Sequence, residues 1–536
     1  MAQPRRSLFY LPLTLILFSL LGGLIGPGLA PTAAATSDDD IRQSVETFTK
    51  VLSVLEENTA EPIDTDKAIY NGAISSMLRT LDPHSSFFDP KLFQVLQEEQ
   101  RGQYFGVGML VGAREGGVVV VYPFSNSPAF QGGIHPGDMI IAVDGKPTVK
   151  ATTSEVADLL KGPRGTTVQV TVRRRGASEP LRFTLVRNSI PRATVQNAFR
   201  IRPKIGYVRI ESFNENTSRE FEESLRELDE STLEGLVLDM RSNPGGLLRE
   251  GVAIADRFLR KGQLIVSHRG RASAERPYVA KRGNNGREYP LVVLVDRTSA
   301  SAAEIVAGAL QDHDRAWIVG EPTFGKGLVQ SQYPLSSNTA LLLTTAKYYT
   351  PSGRLIQRDY SNRSFFEYYA HKDLTERDPK DMKATDSGRP VFGGGGITPD
   401  EEYTREKLNA FQTALLRRDA FANYTAQYFG SRKTELPANW TPGREIEDDF
   451  HQFLLKEGVP FTEADFAANH EWIRQRLQVD MYLTAKGKDS ADRLSIEIDQ
   501  QVAQAIDSMP KAKALIEAAK GILAKRAAAA PSPVSP

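Results

Sequence analysis

The sequence predicts an α/β chain of several domains, with an α/β layer in its middle and helical regions at either end. Three observations carry this. The chain has 536 residues, and a single core rarely grows past about 250–300. Apolar runs at 205–210, 235–239, 291–295 and 316–320 are separated by amphipathic stretches, as buried and mostly parallel strands crossed by helices would be. The flanks, 41–100 and 401–520, instead repeat apolar residues at helical spacing.

Composition narrows the function. Apolar residues at 40% and charged residues at 25% are globular proportions. The 66 basic residues equal the 66 acidic ones, so bulk charge offers nothing to nucleic acid, which is not expected as a partner. The absence of cysteine excludes disulfides, thiol nucleophiles, thiolate zinc sites and lipid attachment at cysteine.

Arg5 and Arg6 precede an apolar run from Leu8 to Ile25, then Ala33-Ala34-Ala35 and Asp38-Asp39-Asp40. Residues 1–36 therefore read as a secretory signal. The rival reading is an uncleaved membrane anchor, because the run is nearly long enough to span. Gly22, Gly23, Gly26, Pro27 and Gly28 weaken it. Under both readings the chain is exported, to the periplasm or cell envelope.

Residues 37–100 form the helical N-terminal region. Val45, Phe48, Val51, Leu52 and Leu55 share one helical face, and Ile69, Ala73, Met77 and Leu81 a second, ended by Asp82-Pro83. Such a unit buries little alone, so packing or pairing of protomers is its expected use, and a homo-oligomer is expected.

Residues 101–190 change character. Val118–Val121 and Met139–Val143 read as buried strands, Val168-Val170-Val172 as a half-buried one, and Ser154–Leu160 as a helix. The ordered segments Tyr104-Phe105-Gly106-Val107-Gly108, Ser127-Pro128-Ala129, Gly133–Asp138 and Val143-Asp144-Gly145 resemble a PDZ domain of bacterial proteases. Gly106 and Gly108 leave nearby N–H groups unobstructed toward a carboxylate. Phe105, Gly106, Val107 and Gly108 are the expected peptide-binding residues, with the peptide added as a strand.

Within 191–400 three segments concentrate unusual residues. Asp239-Met240-Arg241-Ser242-Asn243-Pro244-Gly245-Gly246 follows a buried strand, where freed N–H groups often meet ligands. Thr298–Leu310 carries Ser301 at the start of a helix. A serine there is an ordinary N-cap; the sharper reading is a nucleophile whose oxyanion the Ala302 N–H and the helix dipole stabilise. In Glu321–Gln330, Lys326 lies between two glycines in an apolar stretch. Burial would lower its pKa and suit it to serve as a general base for the serine.

Together these segments resemble the carboxy-terminal processing proteases, or tail-specific proteases, serine peptidases with a crotonase-like α/β core. Lys347–Arg354, Gly395–Asp400 and Leu81-Asp82-Pro83-His84-Ser85 extend the resemblance over roughly residues 40–400. It implies a protease core at 191–400 with an inserted PDZ domain. Ser301 would be the nucleophile, Lys326 the base and Gln330 the group orienting the lysine amine. Gly245 or Gly246, with Ala302, would supply oxyanion N–H groups; sequence does not decide between the glycines. Glu304 and Asp312 read as structural supports. The reaction implied is hydrolysis of proteins at or near their C-termini through an acyl-enzyme. The PDZ domain would bind an unfolded or apolar C-terminus and gate the site, with an activating adaptor or lipoprotein as a further expected partner. No cofactor or metal is expected, and no His-Glu-x-x-His segment occurs.

Three rival readings are weaker. A Ser-His-Asp hydrolase would need His313 or His268, and His313 falls at the far end of the serine's own helix. A non-catalytic PDZ scaffold has no reason to keep Ser301, Lys326 and Gln330. An acyl-CoA enzyme sharing the core fits neither the leader nor the PDZ segment. Residues 401–520 are expected to be helical, and 521–536, rich in Ala, Pro and Ser, disordered.

Overall fold

The computed structural model describes residues 38–114, 116–361, 365–370, 379–404, 406–431, 435–437 and 439–529. The leader reading falls outside them. The chain divides into two compact units, Met1–Met77 and Leu78–Pro536. The first holds the helix Asp38–Asn58 and the wider-wound turn Lys67–Ile74. Asp39 and Asp40 sit in the first turn, where carboxylates complement the helix dipole. Its apolar residues Ile41, Val45, Phe48, Val51, Val54 and Leu55 are exposed.

The expected helical region 37–100 is therefore not one body. From Leu78 the chain belongs to the second unit, where Ser86–Phe88 pairs antiparallel with Ala340–Tyr349. The Asp82 carboxylate explains the change. It accepts from the N–H groups of His84 and Ser85, the Ser85 hydroxyl and the Thr344 hydroxyl, and so pins the 82–85 loop to the strand Ala340–Tyr349.

The central sheet runs Val195–Arg202, Ile205–Ile210, Gly235–Asp239, Leu291–Val295, Trp317–Gly320, Glu401–Glu402. Its first pair is antiparallel and the rest parallel. Successive side chains on a strand face opposite ways. Leu236 and Leu238 thus enter a core formed with helices Thr217–Glu227, Leu248–Asp256 and Ala302–Asp312, while Val237 enters the other face. That second face is covered by Ile496, Val502, Ala505, Met509 and Ala512 of the C-terminal helices. An antiparallel sheet of Ser86–Phe88, Ala340–Tyr349, Leu264–Gly270 and Ser273–Val279, with Leu328–Pro334 paired to Ala340–Tyr349, lies alongside.

In the region expected to be a PDZ domain, a sheet orders Met109–Arg114, Gly117–Pro123, Met139–Val143, Thr167–Arg173 and Leu181–Val186 around its own apolar core. Helix Thr153–Leu160 begins with a reciprocal cap between Thr152 and Glu155. Met109–Arg114 is an edge strand.

The C-terminal region has two parts. Helices Ala410–Arg417, Ala420–Ser431, Arg444–Lys456 and His470–Lys486 enclose an aromatic core that includes Phe421, Phe450 and Phe453. This bundle holds the PDZ domain through Arg175–Glu457 at 3.1 Å, Arg114–Asp419 at 3.0 Å and a close backbone approach of Gly176 to Gly430. The second part, Lys488 onward, backs the central sheet. Its last helix, Met509–Ala529, runs into the segment expected to be disordered. Alanine is the strongest helix former, which accounts for the extension.

Candidate active site

Each of the three loops follows a strand and is locked to the others by buried hydrogen bonds. The loop after Gly235–Asp239 is anchored from below. Asp239 accepts from the Tyr207 hydroxyl at 2.6 Å and from Arg241, and Arg241 reaches Asp499 at 2.8 Å. Asp499 in turn caps the helix Gln500–Asp507. The Asn243 carbonyl accepts from the Ala300 N–H at 2.9 Å, and the Ser299 hydroxyl donates to the Met240 carbonyl at 2.8 Å. The serine loop is thereby laced to the glycine loop.

Ser301 has φ 54° and ψ −112°, a strained conformation for a residue with a side chain. Such strain costs on the order of 1–3 kcal/mol and persists only where the surroundings over-determine it. Glu304 supplies much of that determination. Its carboxylate is fully buried and accepts four hydrogen bonds: from the N–H groups of Ser301 (2.8 Å), Gly325 (2.7 Å) and Lys326 (2.9 Å), and from the Thr323 hydroxyl (2.5 Å). One side chain thus clamps the serine loop to the lysine loop. Burial raises the Glu304 pKa, and the four donors oppose that shift.

The glycines approach Ser301 closely. A Cβ on Gly245 would lie 2.7 Å from Ser301 Cβ, and one on Gly246 would lie 2.1 Å from the Phe213 carbonyl oxygen. Both have positive φ, at 95° and 141°. The Gly245 N–H is taken by Asn243 Oδ1 at 2.8 Å. Among the described residues, no acceptor takes the N–H of Gly246 or of Ala302.

Lys326 Nζ donates to Gln330 Oε1 at 2.7 Å. Gln330 Nε2 donates to the His84 carbonyl at 2.6 Å, which turns the amide oxygen toward the lysine. Burial lowers the Lys326 pKa, against the carboxylates of Glu304 and Asp82, which raise it. Burial and the Lys326 cation push His84 down to about 4. Its ring nitrogens lie 2.9 Å from the Tyr368 hydroxyl and 3.3 Å from the Tyr369 hydroxyl. No hydrogen bond joins Lys326 Nζ to Ser301 Oγ among the described residues.

Sequence reasoning did not see the roles of Asn243 and His84. The 82–85 motif was visible as a resemblance, but its contact with Gln330 spans a separation of 246 residues. Asp312 pairs with Arg354 at 2.5 Å and accepts from the Ser352 N–H, which anchors the Lys347–Arg354 segment. His313 is bound to Asp386 and to the Leu264 carbonyl, each at 2.7 Å, and His268 faces Tyr278. Neither histidine meets Ser301. Among the described residues no cluster suited to a metal occurs, and no helix is long and apolar enough to cross a membrane.

A single cavity of about 1900 Å³ is lined by Ser301, Lys326, Gln330, Gly245 and Gly246 at one end and by Gly106, Val107 and Gly108 at the other. Met109, Leu110 and Val111 of the PDZ edge strand line it too, as does the helix Thr153–Leu160. Phe105 does not; it is 45% exposed, and its carbonyl accepts from Gly162.

Comparison with known proteins gives two family matches: peptidase family S41 over residues 204–361 and a PDZ domain over 119–174. The carboxy-terminal-processing protease of Bartonella bacilliformis is 37% identical over 349 residues, covering 64% of this chain and 80% of that one. The chain belongs to the carboxy-terminal-processing protease family. It is a serine-type peptidase with an α/β core and a PDZ domain. The carboxyl-terminal-processing protease of Synechocystis sp. is 36% identical over 354 residues, covering 62% of this protease and 82% of the relative. A solved photosystem II D1 C-terminal processing protease is 30% identical, covers 68% of this chain and 88% of its own, and has a TM-score of 0.35.

Proposed function

We propose that the protein is an endopeptidase with a Ser301–Lys326 dyad, cleaving protein substrates at or near C-termini that its PDZ domain has bound. The observation that carries this is the continuous cavity joining the PDZ groove to Ser301, Lys326 and Gln330. Neutral Lys326 takes the Ser301 hydroxyl proton, and Oγ attacks the peptide carbonyl. The oxyanion is held by the Gly246 and Ala302 N–H groups, which have no internal acceptor among the described residues. The lysine ammonium returns the proton to the leaving amine. Water, deprotonated by Lys326, then releases the acyl group as a carboxylate. Gln330 and the His84 carbonyl keep the amine in place between these steps.

The substrate tail adds to the edge strand Met109–Arg114, with its carboxylate at Gly106–Gly108. In the present arrangement the amine bonds Gln330 rather than Ser301. Substrate binding would shift that balance toward the engaged dyad, which is the gating role of the PDZ domain. The protein is exported through residues 1–36, works in the cell envelope as a homo-oligomer, and takes an adaptor or lipoprotein as activator.

The test incubates wild type and Ser301→Ala with an unfolded protein ending in an apolar tail. Wild type is expected to cleave it and the variant to lose activity by roughly a thousandfold or more; equal cleavage by both would defeat the assignment.

A further inference from the structure

The basic side chains lining the catalytic cavity are already paired, with one exception among the described residues. Lys161 is paired with Glu98 at 2.8 Å, Arg192 with Glu99 at 3.0 Å, Arg249 with Glu215 at 2.9 Å and Lys488 with Asp492. Lys326 is held by Gln330. Arg276 lines the same cavity and has no carboxylate partner and no hydrogen-bond acceptor among the described residues. Its sequence neighbour Glu275 does not serve it: adjacent residues on a strand face opposite ways, and Glu275 instead meets Ser267 and Arg269.

Arg276 is exposed, and its guanidinium has one ring neighbour on its own strand. Its guanidinium lies 5.3 Å from the centre of the Tyr278 ring, which also lines the cavity. A ring face favours a cation without consuming its N–H donors, so the fork is preset for a planar acceptor. Its register is defined as well. Arg276 stands opposite His268, and His268 opposite Tyr348. The Tyr348 N–H in turn bonds the carbonyl of Gly327, next to the base. Three strand spacings of about 4.8 Å, roughly 14 Å, therefore separate Arg276 from the lysine loop, and an extended peptide covers that distance in about four residues.

We infer that Arg276 is a specificity residue that receives a carboxylate of the bound substrate about four residues from the scissile bond. The inference rests on the proposed peptidase reading of the Ser301 site. An arginine fork takes a carboxylate through two parallel N–H donors. The carboxylate has two sources, an acidic side chain or, in a short substrate whose chain end does not occupy Gly106–Gly108, the free chain end, and the experiment separates them.

Peptides with an apolar C-terminus are scanned with Glu against Gln at each of five positions on either side of the cleaved bond. A second series compares the free acid with the C-terminal amide. Values of kcat/KM are measured for wild type, Arg276→Gln and Arg276→Glu, with thermal unfolding recorded for each. Wild type is expected to prefer Glu over Gln at one position, or acid over amide, by about five- to tenfold. Arg276→Gln brings that ratio to about one, and Arg276→Glu inverts it in favour of Gln or the amide. Ratios near one throughout the wild-type scan would overturn the inference, as would an unchanged ratio in Arg276→Gln or a uniform loss that leaves every ratio intact. Ser301→Ala is run on the same peptides. Cleavage by that variant at the wild-type rate defeats the dyad, while the Glu-to-Gln ratio still reports on Arg276.

Discussion

The catalytic core and the PDZ domain each centre on a sheet, and they finish it in opposite ways. The central sheet is buried on both faces, and the loops above it are joined by short hydrogen bonds through Glu304, Asn243 and Asp239. The PDZ sheet leaves the strand Met109–Arg114 at its edge, beside a cavity. The closed sheet suits chemistry, which needs atoms held to fractions of an ångström. The open edge suits recognition of many sequences, because backbone donors and acceptors are the same in every peptide. One chain thus separates a closely braced cluster of loops from an open sheet edge, the former suited to a reaction centre and the latter to tolerant binding.

The contrast breaks most sharply at Glu304. Glu304→Gln would set an NH₂ group against at least one of the N–H donors now bound to the carboxylate, whichever way the amide turns. A clash of donors at a fully buried site is expected to cost on the order of 3 kcal/mol of stability and to reduce kcat by about a hundredfold or more. Denaturant unfolding and steady-state kinetics check both; a variant of unchanged kcat would mean that the clamp does not set the dyad geometry. A smaller effect is expected on the open side. Leu110 is 42% exposed on the edge strand and lines the cavity. Leu110→Lys should raise KM for long substrates with apolar tails by about tenfold, through lost apolar burial, and alter short peptides much less. Equal effects on both substrate classes would remove the PDZ edge from the binding path.

The difference in legibility follows the same line. Ser301, Lys326 and Gln330 stand out in the sequence because each follows an apolar strand within a short, unusual segment. The four middle strands of the central sheet were equally plain, as they are largely buried and read as apolar runs, whereas its partly exposed edge strands Val195–Arg202 and Glu401–Glu402 carry no such signal. What stayed hidden depends on long-range side-chain contacts. Asn243 Oδ1 engages Gly245 and leaves Gly246 open, a distinction no local pattern carries. The His84 carbonyl meets Gln330 across most of the catalytic chain, so its segment reads as part of a helical end. Arg276 sits in a hairpin without a motif, and only cross-strand register brings it toward the lysine loop. The extension of the final helix over 521–529 was missed because alanine-rich, proline-flanked sequence has the composition of a disordered tail.

The central claim is that Lys326, and no histidine, activates Ser301. It is tested by the rate at which a fluorophosphonate modifies Ser301 as pH is raised, followed by mass spectrometry in wild type, Lys326→Ala and His313→Ala. Because burial lowers the Lys326 pKa, the neutral base is populated at lower pH than for a free lysine, whose ordinary value is 10.5. The account predicts that the wild-type rate rises with pH to a plateau whose midpoint lies below that value. It predicts that Lys326→Ala abolishes the rise and that His313→Ala preserves it. Modification of Lys326→Ala at the wild-type rate with the same pH profile would contradict the account.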